Sequence, residues 1–378
     1  MPNAEQRAVL VLEDGTIFPG VGFGAEGTVS GEVVFNTGMV GYPESLTDPS
    51  YFGQILVQTW PLVGNYGVPS RDLTDGSGLP LHFESDSVKV SGYVVAEVQR
   101  CPSHWSSRAS LPDWLKASGV PGVSGVDTRE LTKKLRTKGT MLGLISVGPS
   151  PDLERLKRSA RTLQDPNSTD LVRRVSTPRP VEYGGTSDTT VVLIDCGVKF
   201  GILRSLVARG FRVVQVPYDT SAAEILARGP AGVVVSNGPG DPATCRPVIE
   251  SVRSLLETEV PLLGICLGTQ ILVLAAGGTT YKLKFGHRAQ NHPCADLRTG
   301  RAYMTTQNHG YSVDAKSLEQ FEVSFVNLND KTVEGIMHKR KPVGGVQFHP
   351  EASPGPFETG FIFDEFAQWV RGFQSQSA

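Results

Sequence analysis

The sequence predicts an α/β protein with two domains, and three observations lead to this prediction. From Thr190 onward, short apolar runs alternate with helical stretches, a succession typical of a doubly wound, mostly parallel sheet with helices on both faces. Residues 8–150 contain many short strand-like runs, which predicts a separate strand-rich α/β domain. A stretch rich in Ser, Pro and Arg lies between them and predicts a linker. We therefore expect domains at 1–150 and 189–378, joined by 151–188.

Length and composition exclude several classes of protein. The chain has 378 residues, 39% of them hydrophobic, which is enough for two buried cores. Its 38 acidic and 36 basic residues give a formal charge of −2, so we expect no nucleic-acid or membrane partner. The five cysteines form no C-x-x-C pair, which argues against a disulfide framework or a metal site. No signal peptide and no apolar run of ~18 residues is present, so a cytoplasmic location is expected.

The elements of the first domain are apolar or helical runs bounded by turn residues. The predicted strands are 8–12, 32–37, 55–59 and 90–96, and the predicted helices are 111–116 and 128–136. Asp127 or Thr128 would cap the second helix, and Gly139 would end it. The basic run 133–136 is most simply a solvated helix face. No catalytic constellation occurs in this domain.

The second domain alternates regularly. The predicted strands are 191–195, 211–216, 232–236 and 261–265, and the predicted helices are 201–209, 221–228, 247–256 and 361–370. A further short helix, 152–160, is expected in the linker. Ligands of such sheets bind beyond the carboxyl ends of the strands, so a binding or catalytic site is expected in the turns after these strands.

One cysteine follows such a strand directly. Cys266 lies between Gly264 and Gly268, where an apolar strand turns into an apolar helix. Small flanking residues permit a sharp turn, and the unpaired N–H groups of a helix N-terminus favour a thiolate over a thiol. The same arrangement presents the nucleophile of many hydrolases. A small buried hydrophobic residue is the simpler interpretation of Cys266 taken alone.

A histidine far downstream favours a nucleophilic role of Cys266 over that of a buried hydrophobic residue. In the segment 345–351 (GVQFHPE), Pro350 favours an extended conformation of His349, so that His349 and Glu351 project to the same side. Glu351 can then hold one imidazole nitrogen and leave the other for the thiol of Cys266, as in a nucleophilic triad. Taken alone, His-Pro-Glu would indicate only a surface turn. Together the two stretches predict a Cys–His–Glu active site.

These two segments, 264–270 (GICLGTQ) and 349–351 (HPE), resemble the class I, triad-type glutamine amidotransferases. Four segments of the first domain resemble the N-terminal domain of the small subunit of carbamoyl phosphate synthetase: 36–42, 46–51, 64–67 and 125–129. Other amidotransferases lack this domain. The resemblance therefore implies the glutamine-hydrolysing subunit or domain of a carbamoyl phosphate synthetase, a ligase, and it extends from about Leu10 to about Val370.

The expected chemistry is the release of ammonia from the side chain of glutamine. The thiolate of Cys266 attacks the carboxamide, His349 protonates the leaving nitrogen, and water hydrolyses the γ-glutamyl thioester. The Leu267 N–H at the helix start is the obvious donor to the developing oxyanion. A second donor is expected from the loop 236–242 (SNGPGDP), although this loop alone would indicate a plain turn.

The resemblance also implies residues that the pattern alone does not identify. It assigns the second oxyanion donor to Gly238. It implies contacts with bound glutamine at the following matching positions: Ser50, Gly240, Gln270, Asn308, Gly310 and Tyr311. By its local sequence Ser50 is simply a turn residue after Asp-Pro.

Three positions depart from the simplest interpretation. The family usually has histidine at position 269, where this chain has Thr269; the substitution is expected to affect packing or partner signalling, not chemistry. His309 lies in the glutamine-binding segment without a carboxylate two residues on, and His287 is expected in an interface loop. Neither is favoured as the base.

The sequence has no G-x-x-x-x-G-K-[ST] loop for ATP. No cofactor is therefore expected in this chain, and ATP and a divalent metal ion are expected in a synthetase partner, either a large subunit or a fused domain. Two alternatives remain open: the glutaminase of another pathway, and a non-catalytic binding module of the same fold. The sequence does not distinguish pyrimidine from arginine synthesis.

Overall fold

The computed structural model describes residues 6–377, whose contacts divide the chain into two compact units. Unit 1 contains the described residues up to Asp75 together with Pro80–Ser168. Unit 2 contains Gly76–Leu79 and the described residues from Thr169 onward.

Unit 1 contains nine strands and four α-helices among its described residues. They are β1 (Arg7–Leu12), β2 (Ile17–Gly24), β3 (Gly27–Asn36), α1 (Tyr42–Thr47), β4 (Gln54–Gln58), β5 (Leu62–Val63), β6 (Gly92–Val94), β7 (Glu97–Val98), α2 (Leu111–Ala117), β8 (Pro121–Ser124), α3 (Thr128–Lys138), β9 (Met141–Val147) and α4 (Leu153–Ala160).

Seven of these strands close into a barrel in the order β1-β2-β8-β6-β4-β3-β9. Helix α4, predicted within the linker, buries Leu156 and Ala160 against β1 and β9. Asp127 caps α3 by accepting a hydrogen bond from the backbone of Glu130, as predicted. Strand β2 was not predicted, because its sequence, IFPGVGFG, is interrupted by proline and glycines.

Unit 2 contains ten strands and five α-helices among its described residues. They are β10 (Val181–Tyr183), β11 (Thr190–Asp195), α5 (Phe200–Val207), β12 (Arg212–Pro217), α6 (Ala222–Leu226), β13 (Gly232–Val235), α7 (Arg246–Leu256), β14 (Leu262–Ile265), α8 (Leu267–Ala275), β15 (Thr280–Asp296), β16 (Ala302–Val313), β17 (Phe321–Asn327), β18 (Val333–His338), β19 (Val343–Val346) and α9 (Phe361–Ser377).

The ten strands form one mixed sheet in the order β10-β12-β11-β13-β14-β19-β18-β17-β15-β16. The five strands from β12 to β19 are parallel, and this confirms the predicted doubly wound arrangement. The remaining pairs are antiparallel and extend the sheet at both edges. This extension was not predicted, because its strands lack the βα alternation from which the parallel core was inferred.

Side chains of β11 show how the sheet builds two cores. Val192 and Ile194 face one hydrophobic cluster, and Val191 and Leu193 face the other, since successive residues of a strand point to opposite sides. Helices α6, α7 and α8 contribute to the first cluster, while α5 and α9 contribute to the second. The site described below lies where β14 ends between these layers.

The C-terminal helix α9 was predicted as amphipathic. It buries Phe363, Phe366 and Val370 completely against the sheet. A Cβ atom at Gly232 would lie 2.8 Å from both Phe366 and Val370, so this glycine allows α9 to pack closely on β13. None of the helices in residues 6–377 has the length and apolar character needed to span a lipid bilayer.

Candidate active site

Cys266 lies at the turn between β14 and α8, where it is the N-cap residue of the helix. Its backbone adopts φ 54° and ψ −105°, a region that residues with a side chain rarely occupy and that costs of order 1–3 kcal/mol. The backbone N–H of Cys266 donates to the carbonyl oxygen of Val346 on β19 at 2.8 Å, which anchors the turn. The strained turn holds the thiol at a helix N-terminus, as the sequence predicted.

The two glycines beside Cys266 are required by close backbone contacts. A Cβ atom at Gly268 would lie 2.0 Å from the carbonyl oxygen of Val235, and one at Gly264 would lie 2.7 Å from the carbonyl oxygen of Gly268. Since no side chain fits at either position, α8 can start directly against β13 and β14. This packing fixes the direction in which the turn presents Cys266.

His349 and Glu351 form the expected pair. The Nδ1 atom of His349 lies 2.7 Å from Oε1 of Glu351, and both side chains are fully buried. The backbone N–H of His349 donates a hydrogen bond to the carbonyl oxygen of Thr306 at 2.9 Å, which attaches the His349 segment to β16. The other ring nitrogen, Nε2, is buried and makes no hydrogen bond with the described residues. It is thus the nitrogen available for proton transfer.

A buried lysine that sequence analysis missed completes this pair. The Nζ atom of Lys199 lies 3.0 Å from Oε1 of Glu351 and donates to the carbonyl oxygen of Ala352 at 3.0 Å. The backbone N–H of Lys199 donates to Oδ1 of Asn237 at 3.0 Å. Glu351 therefore accepts from two cations at one oxygen, which holds its charge in place.

The charges of this group determine its protonation. Burial is the largest single influence and lowers the pKa of His349, but the Glu351 carboxylate and Cys266 together outweigh it and raise the pKa to about 10 in spite of the nearby Lys199. Burial raises the pKa of Glu351, but Lys199 and His349 outweigh it and lower the pKa to about 2. Near neutral pH, His349 is consequently an imidazolium and Glu351 a carboxylate.

These shifts predict a pH window for stability. The raised pKa of His349 stabilises the fold below its ordinary value of 6.5, and this is lost as pH rises through about 10. The lowered pKa of Glu351 stabilises the fold above its ordinary value of 4.5, and this is lost as pH falls through about 2. Denaturant unfolding should therefore show the largest difference in unfolding free energy between the unmodified chain and Glu351→Gln at pH 4.5–6.5. A difference that stays constant from pH 3 to pH 10 would contradict the assigned charges.

The sulfur of Cys266 contacts polar groups of Gln347 and Asn308. Nε2 of Gln347 donates to Sγ at 3.6 Å, and Sγ lies 3.6 Å from the carbonyl oxygen of Asn308. Gln347 is fully buried and also accepts, through Oε1, from Nε2 of Gln270 at 3.0 Å. Gln270 donates in turn to the carbonyl oxygen of Tyr311 at 2.9 Å. The structure thus brings the predicted positions 270, 308 and 311 together beside Cys266.

The two residues expected to form the oxyanion site are also close together. A Cβ atom at Gly238 would lie 2.8 Å from the side chain of Leu267 and 2.1 Å from the carbonyl oxygen of Cys196. Leu267 is the first residue of α8, where backbone N–H groups lack partners within the helix. Gly240 has φ 89°, which favours glycine, and Gly310 lies beside the guanidinium of Arg288. The roles expected for these four positions remain predictions.

Ser50 lies in unit 1, in the turn Pro49–Tyr51, where its backbone N–H donates to Oδ1 of Asp48 at 2.9 Å. This agrees with its interpretation as a turn residue after Asp-Pro. A contact of Ser50 with glutamine remains a prediction from the resemblance.

The unusual Thr269 joins two strands. Its hydroxyl lies 2.7 Å from the carbonyl oxygen of Val346 on β19 and 3.0 Å from that of Gly264 on β14. A Cβ atom at Gly345 would lie 2.5 Å from this hydroxyl. Thr269 therefore packs the start of α8 against the sheet, and its side chain does not take part in the Cys266 contacts described above.

His287 and His309 are both buried side chains on strands. His287 is buried within β15, so the expectation of an interface loop was wrong; the bulged register of β15 hides the strand pattern in this segment. His309 is buried on β16, and its Nδ1 lies 2.7 Å from the carbonyl oxygen of Tyr311. Neither histidine hydrogen-bonds to Cys266 in the part of the chain that the structure describes.

The arrangement as a whole supports nucleophilic attack on a carbonyl carbon. It combines a thiol at a strained turn, an imidazolium held by a carboxylate and a helix N-terminus beside a glycine loop. The Cys266 side chain is nearly inaccessible, which limits side reactions of the thiol with solvent oxidants.

Two family profiles match two separate regions of this chain. The profile described as "Glutamine amidotransferase class-I" matches residues 192–369. The profile described as "Carbamoyl-phosphate synthase small chain, CPSase domain" matches residues 10–145. The two matches fall on the parts of the chain for which the sequence predicted separate domains.

Several relatives align with this chain over nearly its whole length. The carbamoyl phosphate synthase small chain of Pyrococcus furiosus is 49% identical over 372 residues, which cover 98% of this chain and 99% of the relative. That of Archaeoglobus fulgidus is 47% identical over 371 residues, covering 97% and 100%. The arginine-specific small chain of Neosartorya fischeri is 47% identical over 379 residues, covering 100% of this chain and 82% of the relative.

Proposed function

Because this chain belongs to the family of carbamoyl phosphate synthase small chains, we propose a role for its individual residues in the family's reaction. The chain is the glutaminase subunit of a carbamoyl phosphate synthase and supplies ammonia. The observation that carries the proposal is the combination of Cys266 at a strained helix start with His349 held at 2.7 Å by Glu351.

In the proposed first step, the Cys266 thiolate attacks the side-chain carboxamide carbon of glutamine. Charge develops on the carboxamide oxygen, and the backbone N–H groups of Leu267 and Gly238 stabilise it. The protonated His349 gives its Nε2 proton to the leaving nitrogen, so that ammonia departs and a γ-glutamyl thioester remains on the sulfur. The high pKa of His349 supports this step, since the imidazolium is present before the attack.

In the second step, neutral His349 accepts a proton from water, which attacks the thioester and releases glutamate. The sulfur leaves as thiolate, and the initial pair of Cys266 thiolate and His349 imidazolium is restored. Glu351 keeps its charge throughout and orients the imidazole, with Lys199 holding the carboxylate in position.

The pocket for the amino-acid part of glutamine is proposed around Gln270, Asn308, Gly310, Tyr311 and Gly240, and the contact of Ser50 with glutamine is proposed from the resemblance alone. The contacts of Gln270 and of the Asn308 carbonyl oxygen beside Cys266 support this placement. The relatives named above are small chains, which implies a large-chain partner. We propose that this partner, as a separate subunit or a fused domain, holds the ATP and divalent metal used to make carbamoyl phosphate.

Residues 1–150 are proposed as the region that contacts this partner, with 189–378 as the catalytic domain and 151–188 as their linker. The profile match at 10–145 supports this division, and it argues against a glutaminase of another pathway. The intact Cys266, His349 and Glu351 argue against a non-catalytic module. Because a thiol nucleophile must stay reduced, the proposed location is the cytoplasm.

Ammonia released into water is mostly protonated and lost as a nucleophile, so its release is productive only when the partner is docked. We therefore expect the partner to activate this chain. Glutamine hydrolysis is expected to be slow for the isolated chain and faster by ~10-fold or more when the large chain is added. Ammonia release measured with and without the large chain tests this. Equal rates would reject activation by the partner, and they would leave the chemistry of Cys266 to be judged separately.

A further inference from the structure

A cluster of buried polar side chains in unit 2 is not used by the reaction proposed above. It consists of His287 on β15, His309 on β16 and Glu334 on β18, each at most 5% exposed. One nitrogen or oxygen atom of each residue lies within 4.8 Å of the other two. Three such atoms at this spacing form a potential metal site.

The hydrogen bonding of His309 shows which of its two ring nitrogens is available to bind a metal ion. Its Nδ1 lies 2.7 Å from the carbonyl oxygen of Tyr311. Since a carbonyl oxygen only accepts, Nδ1 carries the proton and Nε2 carries a lone pair. This Nε2 atom is buried and has no hydrogen-bond partner among the described residues. A buried lone pair without a partner is costly, and a bound cation would satisfy it.

His287 has the same arrangement with its nitrogens exchanged. Its Nε2 lies 2.8 Å from Oδ2 of Asp330, and its Nδ1 lies 3.3 Å from Oε1 of Glu334 without the alignment of a hydrogen bond. If the proton is on Nε2, the lone pair of Nδ1 faces a carboxylate oxygen. Only a positive species between these two atoms makes this contact favourable.

Glu334 is fully buried and needs a compensating charge. It accepts from neutral donors: Gln307 at 2.8 Å, Asn327 at 3.0 Å and Thr332 at 3.5 Å. No lysine or arginine within residues 6–377 forms an ion pair with it. A carboxylate removed from water without a paired cation is strongly disfavoured.

A second proton on His287 is the competing explanation. It would pair His287 with Glu334, but it would leave Nε2 of His309 without a partner. A metal ion accounts for His287, His309 and Glu334 together, because each atom then donates one lone pair to the same centre.

We infer that Nδ1 of His287, Nε2 of His309 and Oε1 of Glu334 bind one divalent transition-metal ion of the zinc type. Metal–ligand bonds of ~2.0–2.2 Å in tetrahedral geometry place ligand atoms about 3.4 Å apart, close to the observed 3.3 Å between His287 and Glu334. Asp330, the Tyr311 carbonyl and Asn327 supply the outer hydrogen bonds that usually orient such ligands.

The ion would connect three strands of the antiparallel extension. β17 separates β18 from β15 in the sheet, so the bond from Glu334 joins strands that do not pair with each other. His309 lies between Asn308 and Gly310, near the contacts of Cys266. The role of the ion is therefore structural: it fixes the segment of β16 that borders the active site.

The experiment uses the full chain, stripped of metal with a chelator and titrated with Co²⁺ and with Zn²⁺ against a chromophoric competitor. Every titration is repeated with Cys266→Ser, since the thiol is an alternative ligand. One equivalent of either metal is expected, with the Co²⁺ spectrum of a four-coordinate site and no sulfur-to-cobalt band. Circular dichroism of each stripped chain checks that it is folded.

Variants then locate the site. His287→Gln and Glu334→Gln should each weaken binding by at least ~10-fold, and Asp330→Asn, at a half-exposed outer position, by about 10–100-fold. His338→Gln is the matched control, because this histidine lies on the same strand as Glu334 but accepts from the backbone N–H groups of Arg340 and Lys341. The metal affinity of the His338→Gln chain should equal that of the unmodified chain.

Three results would overturn the inference. One is the absence of metal binding above that of a metal-free blank; another is binding that is equal in His287→Gln, Glu334→Gln and His338→Gln. The third is binding that disappears in Cys266→Ser. In the first case, nitrogen NMR showing His287 protonated at both nitrogens would identify the proton as the occupant.

Discussion

Cys266→Ser should abolish glutamine-dependent ammonia release, with a loss in kcat of at least ~10³-fold. Serine fits the same strained turn, so the fold should be retained. However, its hydroxyl is far less acidic than a thiol, and His349, already protonated beside Glu351, cannot accept the hydroxyl proton. A coupled assay for glutamate at saturating glutamine measures the loss.

Cys101→Ser is the matched control, because Cys101 is an exposed free cysteine in unit 1. It should keep full activity. A second control is carbamoyl phosphate synthesis by the assembled enzyme supplied with ammonia directly, which should proceed with Cys266→Ser. Substantial glutaminase activity in Cys266→Ser would remove Cys266 from the mechanism.

His349→Asn should lower kcat by about 10³–10⁴-fold, because the variant loses both the proton donor for the leaving nitrogen and the positive charge beside the thiol. The Lys199–Glu351 ion pair remains, so the buried carboxylate keeps one cation. The rate at which iodoacetamide alkylates Cys266 near neutral pH should also fall, since the imidazolium that interacts with the sulfur is lost. Steady-state kinetics and peptide mass spectrometry measure the two effects.

His338→Gln again serves as the control, because His338 hydrogen-bonds to the backbone of its own turn and not to the triad. A His349→Asn chain that loses activity but alkylates at the normal rate would show that His349 acts only on the leaving group. Retention of both properties would contradict the proposed triad.

The sequence was sufficient to select Cys266, His349 and Glu351 as candidates because each lies in a short local pattern. The small residues at 264 and 268 and the Pro at 350 constrain the backbone within a few positions of the functional side chain. The parallel strands β11 to β14 were recognisable for the same reason, since apolar runs bounded by turns indicate buried strands.

Lys199 and Gln347 were missed because their roles depend on contacts that no local pattern reveals. Lys199 follows β11 and contacts Ala352, 153 positions away. Gln347 meets Cys266 across 81 positions, through the pairing of β14 with β19. A lysine after a strand ordinarily indicates a solvated turn, and only the folded sheet brings it beside Glu351.

The strands β15 and β16 were missed for a different reason. Their register shifts twice, between Lys282 and His287 and between Ala289 and His292, so the alternation of polar and apolar residues is lost. Several inward positions also carry polar side chains, among them His287, His309 and Gln307. A pattern that depends on apolar residues facing a core cannot recognise a strand built around a polar cluster.

The central claim is that glutamine is cleaved through a covalent bond to the sulfur of Cys266. Acid quenching of the chain during turnover with isotope-labelled glutamine, followed by mass spectrometry of the peptide that contains Cys266, tests it most directly. We expect a labelled γ-glutamyl group on Cys266 that is released by hydroxylamine and is absent from Cys266→Ser. Turnover with the label on another residue, or with no covalent label during steady ammonia release, would contradict this account.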